Sequence, residues 1–402
     1  MAYQASRNPP FRAEHIGSLL RPNELLNARN AVEAGEQSAE ELKALEDINI
    51  RKIVKLQQDL GYSAITDGEY RRHMFWGSFF AGLQGMTEIQ SPSADIFREY
   101  VPDIAAFMET NHKPPESVIC TGKIKHIGST YVDQFNFLKT LISPDQVKNL
   151  KLTMAVPNWY HLRYKEGRAY PKDVYSSDSE YFNDIVKAYQ EEFRILYAAG
   201  LRNVQFDDPN LAYFCSEKMI AGWERDSLNR TGISDLLDTY IKVYNDCISK
   251  SPADMHFGVH LCRGNFVDSR HFSEGGYDRI AAKLFQELNM STYYLEYDTA
   301  RAGGFEPLAQ LPKHKNVILG VITSKFATLE NVNELKKRVV SAAEYMAKGS
   351  GQSISEALGR LGVSPQCGFA SHSSGNAIDR EGMIAKLKLV RKLAESIWPG
   401  ES

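Results

Sequence analysis

The chain has 402 residues, 43% of them hydrophobic and 24% charged, with 47 basic against 50 acidic side chains and a formal net charge of −3. That balance gives no general electrostatic case for nucleic acid or an anionic membrane, and no run is apolar for long enough to cross a bilayer. The amino-terminal MAYQASRNPPFRAEH lacks the apolar core of a secretory leader, and five widely spaced cysteines form no disulfide framework, so a cytoplasmic protein with free thiols is expected.

Short strand-like runs alternate with helical patterns. HIGS at 15–18 is followed by an amphipathic stretch at 39–61 and by SAITDG at 63–68. Residues 77–150 are rich in turn formers and lack a clean helical period. The strand-like VICTGKIKH at 118–126 lies within them and is assigned to an irregular excursion, a hairpin arm beside a barrel mouth. KLTMAVP at 151–157 then leads to a helix at 178–200 and to NVQFDD at 203–208, MHFGVHLC at 255–262, TYYLEYD at 292–298 and NVILGVIT at 316–323. A helix at 329–349, a loop and helix at 345–365, and a last strand QCGFAS at 366–371 complete the chain. Strand–helix alternation implies parallel pairing with right-handed crossovers. With 118–126 set aside, eight strands remain, the number that closes a (β/α)8 TIM barrel. Residues 1–402 are expected to form a single α/β catalytic domain. An open doubly wound sheet is the alternative, but no G-x-G-x-x-G follows the first strand.

Apolar residues precede polar ones at nearly every strand end, where barrels carry their chemistry. His260 and Cys262 are two apart, so in an extended chain they share a face. Glu296 and Cys367 belong to later strands. A His/Cys/Cys/Glu set suits zinc, with the carboxylate as the ligand most easily displaced. Two thiolates and a carboxylate offset the zinc charge and make a poor activator of water. Such a site can still hold an incoming thiol as thiolate near neutral pH, where a free thiol, with a pKa of about 8.5, is mostly protonated. His256 shares the face of His260 but lies deeper, as a hydrogen-bonded core histidine. Asp208, before Pro209, reads as a helix cap, and Asp207, on the opposite face, as a pocket residue. Asp67 and Glu69 share a face and could read an amino group; Arg71 and Arg72 could pair with them or with a substrate anion. Trp159 is a ring platform for a flat ligand or part of the core.

HIGS, DGE, PNW, FDDP, H-x-C, a strand-end Glu and P-x-C-G occur here in the order found in the C-terminal barrel of cobalamin-independent methionine synthase, and the chain resembles that family from about residue 12 to 390. The resemblance implies a TIM barrel with zinc on His260, Cys262, Glu296 and Cys367, activating a homocysteine sulfur for attack on a methyl donor. It also implies that Ile16 and Ser18 touch the amino acid, that Glu69 and Asp207 recognise its ammonium, and that Trp159 lies near a pterin-like donor. The family's YDIHSP, whose His protonates the folate leaving group, reads VITSKF here, with Thr323 in place of the His; FDEP reads FDDP, and the second, N-terminal barrel of the full-length synthase has no counterpart. The openings HIGSLLRP and TDGEYRR are similar to those of short single-barrel relatives, the stand-alone methionine synthases and the epoxyalkane:coenzyme M transferases.

The expected function is zinc-dependent methylation or alkylation of a small-molecule thiol, with no catalytic group beyond the metal site and with no nucleic acid or membrane partner. The alternative is a zinc-held thiolate that opens an epoxide or similar electrophile. A decarboxylase of the same barrel superfamily would want arginines at the strand ends, which are not concentrated there. A non-enzymatic zinc protein would want closely spaced ligands such as paired C-x2-C.

Overall fold

The structure is a computed structural model that describes residues 9–401 apart from 78, 91, 110–116, 266–268 and 373–374. An antiparallel hairpin, β1 (Gln84–Ile89) and β2 (Ser117–Lys125), precedes six parallel strands: β3 (Lys151–Ala155), β4 (Asn203–Asp208), β5 (His256–Leu261), β6 (Thr292–Glu296), β7 (Asn316–Ile322) and β8 (Leu361–Pro365). The parallel strands pair in sequential order and are buried almost throughout, as parallel strands covered by helices must be.

Beyond each edge of this sheet the ladder continues as one parallel bridge, Ile65 with Leu150 beside β3 and Ala13 with Val363 in β8. The two bridging segments are tied to each other by Leu19 N–H to the Gly68 carbonyl and by Thr66 Oγ1 to the Gly17 carbonyl, each at 3.0 Å. Residues 12–14, just ahead of the expected run at 15–18, and the segment around Ile65 thus stand where the first two barrel strands belong. Gly17 (φ 136°), Gly68 (φ 68°) and Glu69 (φ 60°) turn the chain out of the extended region and limit each segment to a single bridge.

The last strand is not QCGFAS. β8 is Leu361–Pro365, and 366–371 is the loop that follows it. The run LGVSP falls at the end of the loop and helix expected at 345–365, yet it is a strand in which Gly362 is required: a Cβ there would meet Ile318 Cδ1 at 2.5 Å and the Phe11 carbonyl at 2.9 Å. The helix at 178–199 ends as its sequence indicates, on Gly200 with φ 112°. The 332–350 helix passes through Gly349 and stops at Gly351. No helix among the described residues is long and apolar enough to cross a membrane.

The main apolar core includes strand residues such as Val204, Phe206, Val259, Leu295 and Leu319 together with Leu196, Tyr244, Val339 and Leu387 from the helices. A separate small cluster joins Ile16, Tyr294 and Ile318. By period-2 alternation Tyr294 shares a face with Glu296, and His256 shares one with His260, so these residues lie on the barrel's inner side.

Candidate active site

The parallel register places Asp207 of β4 beside His260 of β5, and His260 beside Tyr294 of β6, while Glu296 ends β6 beside Gly320 of β7. Cys262 lies just past β5, with its N–H on the Asp208 carbonyl at 3.0 Å. Cys367 lies just past β8. The ligand atoms of His260, Cys262, Glu296 and Cys367 all fall within 4.8 Å of one another. Cys262 Sγ and Cys367 Sγ are 3.5 Å apart, and Cys367 Sγ is 3.6 Å from Ser371 Oγ. His260 is turned by the Tyr294 carbonyl, 3.3 Å from Nδ1, and its buried Nε2 has no hydrogen-bond partner. Such an orphaned nitrogen among two sulfurs and a carboxylate fits a soft metal ion.

The four groups perturb one another strongly. The contact with Cys262, and then His260, hold the Cys367 thiol well below the usual thiol range. The same contact and burial push the Cys262 thiol well above it. Burial opposes charge on His260, but the Cys367 sulfur beside it and the charges of Asp207 and Glu296 lift it to about 9. The Glu296 carboxylate is fully buried and engaged on each oxygen: Oε1 accepts from the Arg263 N–H at 2.8 Å, and Oε2 from Arg301 Nη2 at 2.7 Å. Arg301 also reaches Asp298 at 2.8 Å.

His260, Cys262 and Cys367 border a cavity, partly open to solvent, that Ile16, Ser18, Glu69, Asp207 and Trp159 also line; Glu296 lies behind them, outside its lining. Glu69 sits at positive φ, a costly conformation for a side chain other than glycine, held by its N–H on Asp67 Oδ1 at 2.8 Å. Its Oε1 accepts from Thr153 Oγ1 at 2.8 Å, while Oε2 is buried without a partner. Burial, opposed by Arg72, raises its pKa. Burial and then the Glu69 charge raise Asp207 to about 7. Asp208 caps the following helix, accepting from Leu211 N at 2.9 Å, and takes a hydrogen bond from Tyr244. Arg71 turns away to Glu46 and Asp47. His256 is outside the ligand cluster, and its Nε2 lacks the hydrogen bond expected of it. Thr323 is absent from the cavity wall; its Oγ1 accepts from the Lys325 N–H at 3.2 Å in a local turn.

The family described as "Cobalamin-independent synthase, Catalytic domain" matches residues 11–395. The chain belongs to that family. It is 34% identical over 394 residues to the uncharacterized protein YxjG of Bacillus subtilis (strain 168), covering 98% of this chain and 96% of that one. It is 25% identical to a methionine synthase of Saccharolobus solfataricus, covering 96% of this chain and 97% of the other. A solved structure, a putative vitamin-B12 independent methionine synthase from Listeria monocytogenes, superposes with a TM-score of 0.70 at 27% identity over 96% of this chain and 98% of that one. The chain is thus an enzyme of the methionine synthase-like methyltransferases, on the TIM-barrel fold of that family.

The sequence did not reveal the rest of the wall: Met74, Phe75, Trp76, Asp103, Phe107, Tyr213, Asn265, Phe272, Ser371 and His372. A signal existed in RRHMFWGSFF, directly after the DGE motif. That segment is anchored over the mouth by the Phe75 N–H on the Ser371 carbonyl at 3.0 Å and by a Met74–His372 bridge. Arg301 was missed as well.

Proposed function

We propose that this enzyme is zinc-dependent and transfers a methyl group to a small thiol of the homocysteine type. The observation that carries this reading is the convergence of His260, Cys262, Glu296 and Cys367 within 4.8 Å, three of them at the wall of a cavity also lined by Glu69 and Asp207. Zinc held by those four residues supplies a Lewis acid of low strength that keeps a bound thiol ionised near neutral pH.

The chain's own residues do the remainder. The partnerless Glu69 Oε2 and the Asp207 carboxylate receive the substrate ammonium, and Ile16 and Ser18 pack its backbone. Residues 1–402 act as one cytoplasmic catalytic domain, with 77–150 as an excursion that adds Asp103 and Phe107 to the cavity wall. Opening of an epoxide is not favoured by relatives named as methionine synthases. Purified enzyme should carry a single zinc ion per chain and methylate homocysteine. Undiminished turnover in a metal-free preparation would overturn the reading.

Arg301 sets how readily Glu296 exchanges. A carboxylate already paired with a guanidinium is a weaker ligand and has a partner waiting when a thiol displaces it. Arg301→Gln should therefore retain metal more firmly against a chelator and require roughly tenfold more thiol for half-saturation, about 1.4 kcal/mol. Cobalt-substituted enzyme reports this through the thiolate-to-metal absorption band. Equal thiol titrations for the variant and wild type would refute the role.

A further inference from the structure

The cavity wall has a composition that methyl transfer to a thiol does not by itself demand. Five rings, Phe75, Trp76, Phe107, Tyr213 and Phe272, surround the space beside the ligand cluster, and Glu69, Asp103 and Asp207 add three carboxylates. Among the described residues no lysine or arginine lines it. Asp103 is paired with Arg163 behind the wall. Aromatic rings and carboxylates lining a cavity attract cations and repel anions.

The expected platform for a flat donor is already covered. Trp159 stacks on Trp76 with centroids 5.3 Å apart and planes at 29°, and the Arg163 guanidinium lies 3.4 Å from its ring centroid. A pterin would have to displace Trp76, and among the described residues no lysine or arginine of the wall would meet the carboxylates of a folate tail. Thr323 brings no acid to a nitrogen leaving group, since it does not line the cavity and an aliphatic hydroxyl is too weak an acid.

We infer that the methyl donor is a small sulfonium, held by cation–π contact in the ring of Phe75, Trp76, Phe107, Tyr213 and Phe272 beside the thiol site. This inference rests on the proposed methylation of a thiol. The substrate thiol has already lost its proton. Its sulfur lone pair forms the new S–CH3 bond as the donor's CH3–S+ bond breaks, and that bonding pair leaves on a neutral thioether. One negative and one positive charge cancel, so no acid is needed. A quaternary ammonium would occupy the same ring but carries a far poorer leaving group.

The test begins with binding to the zinc-loaded enzyme, read by tryptophan fluorescence, since two of the chain's four tryptophans line the cavity. Trimethylsulfonium and tetramethylammonium should quench saturably, and the neutral isostere tert-butyl alcohol should bind roughly tenfold or more weakly. Trp76→Leu should weaken the two cations by a similar factor and leave the alcohol unchanged. Homocysteine should then be methylated from S-methylmethionine or trimethylsulfonium and not from tetramethylammonium. Equal binding of alcohol and cations overturns the inference without reference to any variant. Methylation from 5-methyltetrahydrofolate but not from a sulfonium also overturns it and leaves the proposed function standing. Failure to bind zinc or any thiol would sink the proposed function instead, even with the cations bound.

Discussion

Replacing Cys367 with serine should strip the enzyme of zinc and lower thiol methylation by at least about 100-fold, since even the partners of metal ligands cost 10–100-fold in affinity or activity when mutated. Cys367 Sγ lies 3.5 Å from Cys262 Sγ inside the cluster, and the residue is only 2% exposed. A serine hydroxyl does not ionise near neutral pH, and it offers a harder, shorter donor. The set would fall to one imidazole, one thiolate and one carboxylate, with less negative charge to offset zinc. Any metal retained would be more Lewis acidic and would favour water over a thiol. Metal content after dialysis against a chelator and the rate of homocysteine methylation are the measurements. A thermal melt within a few degrees of wild type would separate loss of metal from loss of fold. Full zinc occupancy together with wild-type turnover in Cys367→Ser would show that the sulfur is not a ligand.

The convergence of three of the four clustered donors was legible because a parallel barrel converts sequence into position simply. His260, Cys262 and Glu296 each end an apolar run, and sequential pairing of β4 to β7 brings such ends to one mouth. Cys367 was legible as a residue but not in its element, because close packing rather than propensity places Gly362 and Pro365 in β8. The aromatic roof was not legible. Residues 74–76 have no periodicity, and the hydrogen bonds that fix them reach to Ser371 and, through the Arg72 carbonyl, to Arg29. Arg301 lies five residues past Glu296 in a turn, where spacing carries no direction. His256 shows the converse: alternation assigned its face correctly, but the hydrogen bond expected of a core histidine is not made by its Nε2.

A buried ion pair inside the barrel gives the largest expected effect on stability. Lys151 Nζ donates to Glu14 Oε2 at 2.7 Å and to the His15 carbonyl at 2.6 Å, and Tyr294 Oη donates to Glu14 Oε1 at 3.0 Å. The Lys151 and Glu14 side chains are each 2% exposed. Lys151→Met would leave an ionised carboxylate buried without its counter-charge, at a cost of about 3–5 kcal/mol near pH 8. Burial already raises the Glu14 pKa, with Lys151 as the main opposing influence, so the variant would raise it further. A carboxyl raised on folding favours the native state below its unfolded pKa near 4.5, and that contribution disappears as pH climbs through the folded value. The deficit of Lys151→Met should therefore shrink between pH 8 and pH 5. His15 and His256 should stay neutral at pH 5, because burial, ahead of Lys151, holds them to about 3 and about 4. Adding Glu14→Gln should recover most of the loss at either pH, since an amide can keep the Tyr294 hydrogen bond without charge. Urea unfolding of the three proteins at the two pH values measures this; a loss that is the same at pH 5 and pH 8 and is not relieved by Glu14→Gln would assign it to packing instead. Tyr294 links this pair to the active site, because its carbonyl orients His260 while its hydroxyl holds Glu14. Lys151→Met should then also weaken metal retention at pH 8, and the double variant should restore it.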